Sequence, residues 1–381
     1  MGNEEYTFDT KTLENVRLRL KEFKADSPDL PDLIWQCDNN KHSVGQDEAP
    51  VPALIYFLLT KCLGFPLGYR GDKTRWAIPF TFSGVRCSMA MQKFGLRLYI
   101  EKDKKTNPLE IMGKLHRAIK VLERDMLEPF GKAQMTSGNV TVVNRFHRLD
   151  NMYGYFRGTA EQSFAISPDT QGSLGKRLSM RFEILSKGNY NTVAMVNAYF
   201  SRLEHILVFC LAFSDYSSRK DDLVDFIGSN WSDKYKRVIN ISNGSEGKEL
   251  YDFLCEVKEE FRNPSAHGGF EKNGGSLYFH IPGVAAVPAK LTGSRDRPHL
   301  DFLMNHEATC IELCQLFDRF DKWIEEKEQP YATLYLKSGL DIAFDAGFIA
   351  ELRSAAKDVE EFNGWIEARS HWQDIVDNVD Y

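Results

Sequence analysis

From Val193 onward the apolar residues Val193, Val196, Phe200, Leu203, Leu207 and Cys210 recur at intervals of three and four, which predicts one long helix over about 190–213. The same spacing returns in Leu250, Phe253, Leu254, Val257 and Phe261, inside a helix expected over 247–267. It returns again in Cys310, Leu313, Phe317, Phe320 and Ile324, inside a last long helix near 299–327. Shorter helices are expected at 221–230 and 232–241, and several apolar stripes of this kind are buried most economically in a bundle. Upstream the period changes. Residues 75–103 are rich in aromatic and aliphatic side chains between Ser-Gly and Phe-Gly breaks, predicting about three short antiparallel strands.

Helices over 9–23, 53–63 and 106–130 flank those strands. The last has Asn107 as a cap, Pro108 in its first turn and Glu110 where a capping-box acid belongs, and its Leu115, Ile119, Leu122 and Met126 form one core face. Residues 268–298 read as an insertion with a hairpin. The tail reads as a hairpin turning at Ser338-Gly339, then a helix capped by Asp345. From Asn139 to Lys187 the periodicity weakens around an exposed loop at 167–175, which places a domain boundary there. The expected fold is α+β and mainly helical: an N-terminal α+β domain (1–187) to which the sequence assigns no role, a helical bundle (188–328) and a small hairpin-plus-helix appendage (329–381).

Composition narrows the class. At 381 residues and 43% apolar content the chain has ample material for buried cores. The seven cysteines are odd in number and form no CxxC, which fits neither a disulfide framework nor a zinc knuckle, and a reducing cytoplasm is the expected home. Cys310 and Cys314 share a helix face and are read as core residues, with no metal and no cofactor expected. No apolar h-region opens the chain and no run of roughly 18 apolar residues is apparent, so no membrane partner is expected. The net charge of −6 argues against a uniformly basic nucleic-acid binder, yet residues 130–187 carry eight Lys and Arg against four Asp and Glu.

Candidate chemistry gathers at "EFRNPSAHGG" (260–269), where Arg262, Asn263 and His267 crowd the end of an otherwise apolar helix. Residues five apart on a regular helix differ by about 140° around the axis, so Arg262 and His267 converge only if the winding changes. Pro264 removes a donor and clashes with the preceding turn, so a π-type bulge or an early helix end is expected, followed by a stop at Gly268 and Gly269. Arginine offers a rigid fork for phosphate oxygens, histidine titrates near neutrality, and Asn263 can orient either. With no carboxylates for a metal, such a set suits metal-independent phosphodiester cleavage by an internal nucleophile, which RNA supplies as its 2′-OH. A polar helix end, where cations meet the helix dipole, is the competing reading.

The "RNPSAHG" string (262–268), near the end of a penultimate bundle helix, resembles the HEPN superfamily, whose motif is Arg, then usually a polar residue such as Asn, then His after four to six intervening positions. The resemblance covers residues 188–327. It implies an endoribonuclease that works as a homodimer with one composite cleft, leaves a 2′,3′-cyclic phosphate and a 5′-hydroxyl, and uses Arg262 on the phosphate and His267 as acid or base. It also implies a toxin–antitoxin or antiviral-defence setting, with a regulatory or antitoxin protein as a further partner.

Around this centre, Glu204 is a candidate support for the site, although an exposed surface glutamate is the competing expectation. "NRFHRLDNMYGYFRG" (144–158) interleaves Arg145, Arg148 and Arg157 with Tyr153 and Tyr155, as single-stranded RNA binders do; a helix with a solvated basic face is the alternative. Two other function classes stay open: a non-catalytic HEPN-like module that dimerises and binds RNA or protein, and an enzyme whose site lies in the N-terminal domain.

Overall fold

The computed structural model describes residues 10–26, 33–35, 40–68, 73–102, 106–167, 173–217, 221–262, 276–283, 285–291, 298–299 and 306–378. The fold is α+β and mainly helical, and the chain divides into two compact units, residues 1–134 with 371–381 and residues 135–370.

In the first unit the chain runs α1 (Thr10–Arg19), β1 (Phe23–Ala25), β2 (Asn40–Ser43), α2 (Pro52–Phe57), β3 (Thr74–Phe82), β4 (Val85–Gln92), β5 (Gly95–Ile100), α3 (Pro108–Leu122) and α4 (Glu128–Thr136). The five strands form an antiparallel sheet in the order β1-β3-β4-β5-β2, so the three strands read from residues 75–103 gain an edge strand on each side. Alternation decides the faces. Ile78, Phe80, Met89 and Leu98 join Val16, Leu58 and Leu115 of the helices in one core, while Ala77, Ala90 and Tyr99 on the other face meet Leu33. Ser83 and Gly84, both with positive φ (49° and 81°), make the two-residue hairpin loop whose twist suits the strands it joins. Asn107 caps α3 by accepting from the Leu109 amide at 3.0 Å, as its sequence predicts.

The second unit holds β6 (Thr141–Val142), α5 (Phe146–Ala165), α6 (Leu174–Phe213), α7 (Leu223–Gly228), α8 (Trp231–Val238), α9 (Glu246–Val257), β7 (Ser276–Ile281), β8 (Ala285–Leu291), β9 (Pro298–His299), α10 (His306–Trp323), α11 (Pro330–Ser338), β10 (Ile342–Ala343) and α12 (Ala346–Ala355); α13 (Val359–Asn378) begins in it. Helix α6 is the axis of this bundle. Tyr199 stacks on Phe317 of α10 at 3.7 Å, and Phe200 meets Trp231 of α8 edge-on at 5.2 Å. Where α5 packs on α6, Gly188 gives room to the Phe164 ring: a Cβ there would lie 2.4 Å from it, and the ring would have to shift. The expected hairpin of the insertion is present, with Ser276 opposite Lys290 and Ile281 opposite Ala285.

Three expectations are corrected. The boundary at 187/188 falls inside α6, which starts at a Ser173 cap and runs unbroken for 40 residues; the units divide at 134/135 instead. The periodicity fades before residue 190 because that part of α6 is not buried, not because the helix stops. The tail is not a hairpin appendage: residues 330–338 are helical, opened by Pro330 and closed by Gly339 at φ 79°, and Ile342–Ala343 pairs with Thr141–Val142. Tyr335, Leu336, Phe344 and Phe362 belong to the same core as α6, and Asp345 does cap α12, accepting from the Phe348 amide at 2.9 Å. Finally, α6 is long and apolar enough to cross a membrane by length and composition, which the expectation of no such run missed; 72% of its apolar window is buried within the protein, as in a core helix.

Candidate active site

Helix α9 runs on into a π-helical turn, Lys258–Arg262, so the change of winding expected at Pro264 begins ahead of it. That turn carries Arg262 over the face of α6, where its guanidinium lies 5.3 Å from the centroid of the Phe200 ring. Both terminal nitrogens of Arg262 donate to Oε1 of Glu204 at 3.3 Å. The other carboxylate oxygen, Oε2, accepts from Lys234 Nζ at 3.3 Å, and Lys234 also donates to the Ser229 carbonyl at 2.5 Å. Asn263 and His267 lie outside the described residues, so Arg262 is the member of the motif whose surroundings can be given.

The local sequences account for the arrangement. Phe200 and Glu204 are one helical turn apart on α6 and therefore share a face. On α8, Lys234 lies three residues beyond Trp231 and four before Val238, both buried, so its stem is buried with them and only 3% of the residue is exposed. A buried ammonium needs a counter-charge, and Glu204 supplies it. The result is a line of cation, carboxylate, cation, held by three helices and ending at the motif arginine. Glu204, singled out as a candidate support, is in direct contact with Arg262. Lys234 was missed, although a lysine on the apolar stripe of "WSDKYKRV" is a readable sign of a buried, paired cation.

His205, next to Glu204, faces elsewhere. Its Nε2 accepts from the Arg145 amide at 3.0 Å and its ring lies 4.9 Å from Phe209. Burial, with the nearby Arg145 charge, pushes its pKa down to about 4, so at neutral pH it is an uncharged acceptor that pins the start of α5.

Of the five residues singled out for RNA on residues 144–158, the structure leaves three outward. Arg145, Arg148 and Tyr155 are exposed, the Tyr155 ring by 67%. Tyr153 is corrected: it is buried, edge-on to Tyr199 at 5.2 Å and to Phe317 at 6.1 Å, and is core rather than a stacking platform. Arg157 is tied into the bundle, pairing with both oxygens of Asp318 (2.5 and 2.8 Å), with Glu161 at 3.1 Å and with the Tyr153 hydroxyl at 3.2 Å. A second buried cation that sequence reading missed, Arg202 on α6, meets both carboxylate oxygens of Asp321 at 2.9 Å and has its Nε 2.7 Å from Asp150, while the rings of Phe146, Tyr153 and Tyr199 surround it. It locks α5, α6 and α10 together.

In the first unit a cavity of about 590 Å³ is lined by Pro50, Val51, Tyr56, Arg75, Trp76 and Met91, among others. Among the described residues its lining carries no carboxylate, histidine or thiol. Among the described residues no cluster of three His, Cys, Asp or Glu is placed to hold a metal ion, and Cys310 and Cys314 are buried core thiols, the latter 3.7 Å from Met195 Sδ. No family model, curated protein or solved structure matches this chain.

Proposed function

We propose that this protein is a metal-independent endoribonuclease of HEPN type, acting as a homodimer whose two motifs share one cleft. The observation that carries the reading is the anchoring of Arg262: a π turn delivers it, and a Glu204 carboxylate backed by buried Lys234 holds its fork, immediately before Asn263-Pro264 and three residues further His267. An arginine pre-set in this way needs little reordering to meet a phosphate.

In the proposed reaction one His267 takes the proton of a ribose 2′-OH as its oxygen attacks the adjacent phosphorus. The P–O5′ bond breaks, a second proton donor, the partner subunit's copy of the same histidine, protonates the leaving 5′-oxygen, and the 2′,3′-cyclic phosphate remains. Arg262 neutralises charge on the non-bridging oxygens. Asn263 orients one of the two groups. Exposed Arg145, Arg148 and Tyr155 are assigned to holding single-stranded substrate beyond the cleft.

One observation favours a second reading, a non-catalytic HEPN-like module that binds RNA or protein: an arginine already paired with a carboxylate is also what a purely structural helix end shows. Purified protein incubated with total RNA separates the two. The nuclease leaves fragments ending in cyclic phosphate, in the presence of EDTA, and His267→Ala abolishes them without changing folding. The binding module leaves RNA intact and is indifferent to that substitution.

A further inference from the structure

We propose that the first 14 residues of α6, Leu174–Lys187, form an arm that docks in an acidic-rimmed apolar groove of a second copy of this chain, the two copies exchanging arms about a two-fold axis. Helix α6 buries none of these residues; its first buried position is Gly188. The arm is thus a helix of about 21 Å that is mostly exposed, with Met180, Ile184, Leu185 and Ser186 half-buried. Leu174, Leu178 and Phe182 are 69%, 48% and 69% exposed, and with Leu185 they fall within about 80° of arc on regular α geometry. Three large exposed apolar residues on one stripe, continued by half-buried Leu185, are a docking face, not the scattered surface hydrophobes of a soluble protein. Arg177 and Arg181 border the stripe, and the arm carries four basic residues against Glu183 alone.

The acceptor is on the same unit. Between α9 with its π turn and α10 lies a groove of about 430 Å³ whose floor includes Phe253, Val257, Phe261 and Leu313 and whose rim carries exposed Glu256 and Glu312. Arg319, at one end, is already neutralised by Glu249 at 3.0 Å. Apolar floor and negative rim complement an arm of apolar stripe and positive border, which is how an amphipathic helix is held in a groove.

A chain cannot fill its own groove. Helices α6 and α10 run parallel with their side chains paired about 119 residues apart, Met195 beside Cys314 and Arg202 beside Asp321. The groove residues 309–316 therefore lie level with α6 residues near 190–197, whereas the arm continues straight past the start of α10. One arm covers less than a stable interface requires; reciprocal exchange doubles the contact and closes the assembly.

Sedimentation velocity without RNA, from about 1 to 50 μM protein, tests this. Wild type forms a concentration-dependent dimer, Leu178→Glu with Phe182→Glu is monomeric with an unchanged helical circular dichroism spectrum, and Arg177→Glu with Arg181→Glu raises the dissociation constant at least about tenfold. Adding Glu256→Arg and Glu312→Arg to that last pair restores the dimer, and a photo-crosslinker at position 182 reaches residues 253–261 or 309–316 of another copy. A monomeric wild type, arm variants that dimerise like wild type, reversed charges that fail to restore association, or an arm that binds anionic vesicles or single-stranded RNA without self-association overturns the proposal. Arm variants that dimerise like wild type overturn the arm contact and leave the ribonuclease reading standing, a monomeric wild type counts against the shared cleft as well, and absence of RNA cleavage leaves the arm contact standing.

Discussion

Glu204 holds one cation with each carboxylate oxygen, and that division makes its loss costlier than the loss of either partner. Glu204→Ala leaves the buried Lys234 ammonium without a counter-charge, for a destabilisation of about 3 kcal/mol, the low end for breaking a buried pair because Glu204 is itself partly exposed. Lys234→Met removes the charge together with its need for a partner and costs about 1 kcal/mol. Urea denaturation of the two variants checks the order; equal costs contradict the proposed role of Glu204. His205 gives a pH signature. Its folded pKa of about 4 lies below the unfolded value, so its contribution is fully present above about pH 6.5 and is lost as pH falls toward 4. Wild type therefore loses more stability between pH 7 and 4.5 than His205→Gln, by on the order of 2 kcal/mol once partial exposure is discounted, and parallel pH profiles for the two contradict it. At this scale the sequence was legible where chemistry is local, as at the Asn107 and Asp345 caps. It was not legible where a partner comes from another helix: neither Lys234 nor Arg202 announces its carboxylate, and Tyr153 cannot be told from Tyr155 until α5 is rotated onto its neighbours.

At the scale of elements, apolar periodicity found the packed part of α6 and the helices α9 and α10, but it did not place α5, the exposed start of α6 or the buried α11. The stripe from Val193 to Cys210 marks the packed part of α6; the preceding residues are helical but none is fully buried before Gly188, and their shorter apolar stripe is mostly exposed. The misread tail has a different cause. "TLYLK" alternates as a strand would, but Pro330 at the first turn and Gly339 past the last are helix brackets, and the buried Ala332, Thr333, Tyr335 and Leu336 follow the helical period. Packing between elements is testable at the α5–α6 crossing. Gly188→Ala places a methyl 2.4 Å from the Phe164 ring and displaces that ring from its packing, destabilising by about 1 kcal/mol, an overpacking effect that calorimetry reads as a lower Tm. Co-substitution of Phe164→Leu recovers part of the loss. An unchanged Tm for Gly188→Ala contradicts the close crossing.

For the whole molecule, the division into a sheet unit and a helical unit was foreseeable from the change of period, but its position was not. A weak stretch of pattern reads as a linker, and here it is instead β6, α5 and the exposed start of α6, all part of the helical unit. The "RNPSAH" string gave a reaction to look for, and the fold supplies the support that an isolated string cannot: a π turn, a carboxylate and a buried ammonium converging on Arg262. The central claim is that this cluster serves attack by a ribose 2′-OH on its neighbouring phosphate. The most direct measurement is cleavage, in EDTA, of a short RNA whose cut site has been mapped, beside the same RNA carrying one 2′-deoxyribose immediately 5′ to that cut. The account predicts that wild type cuts the first and not the second at that position, and that Arg262→Ala and His267→Ala cut neither. Cutting of the deoxy-substituted site at the full rate, or undiminished cutting by His267→Ala, contradicts it.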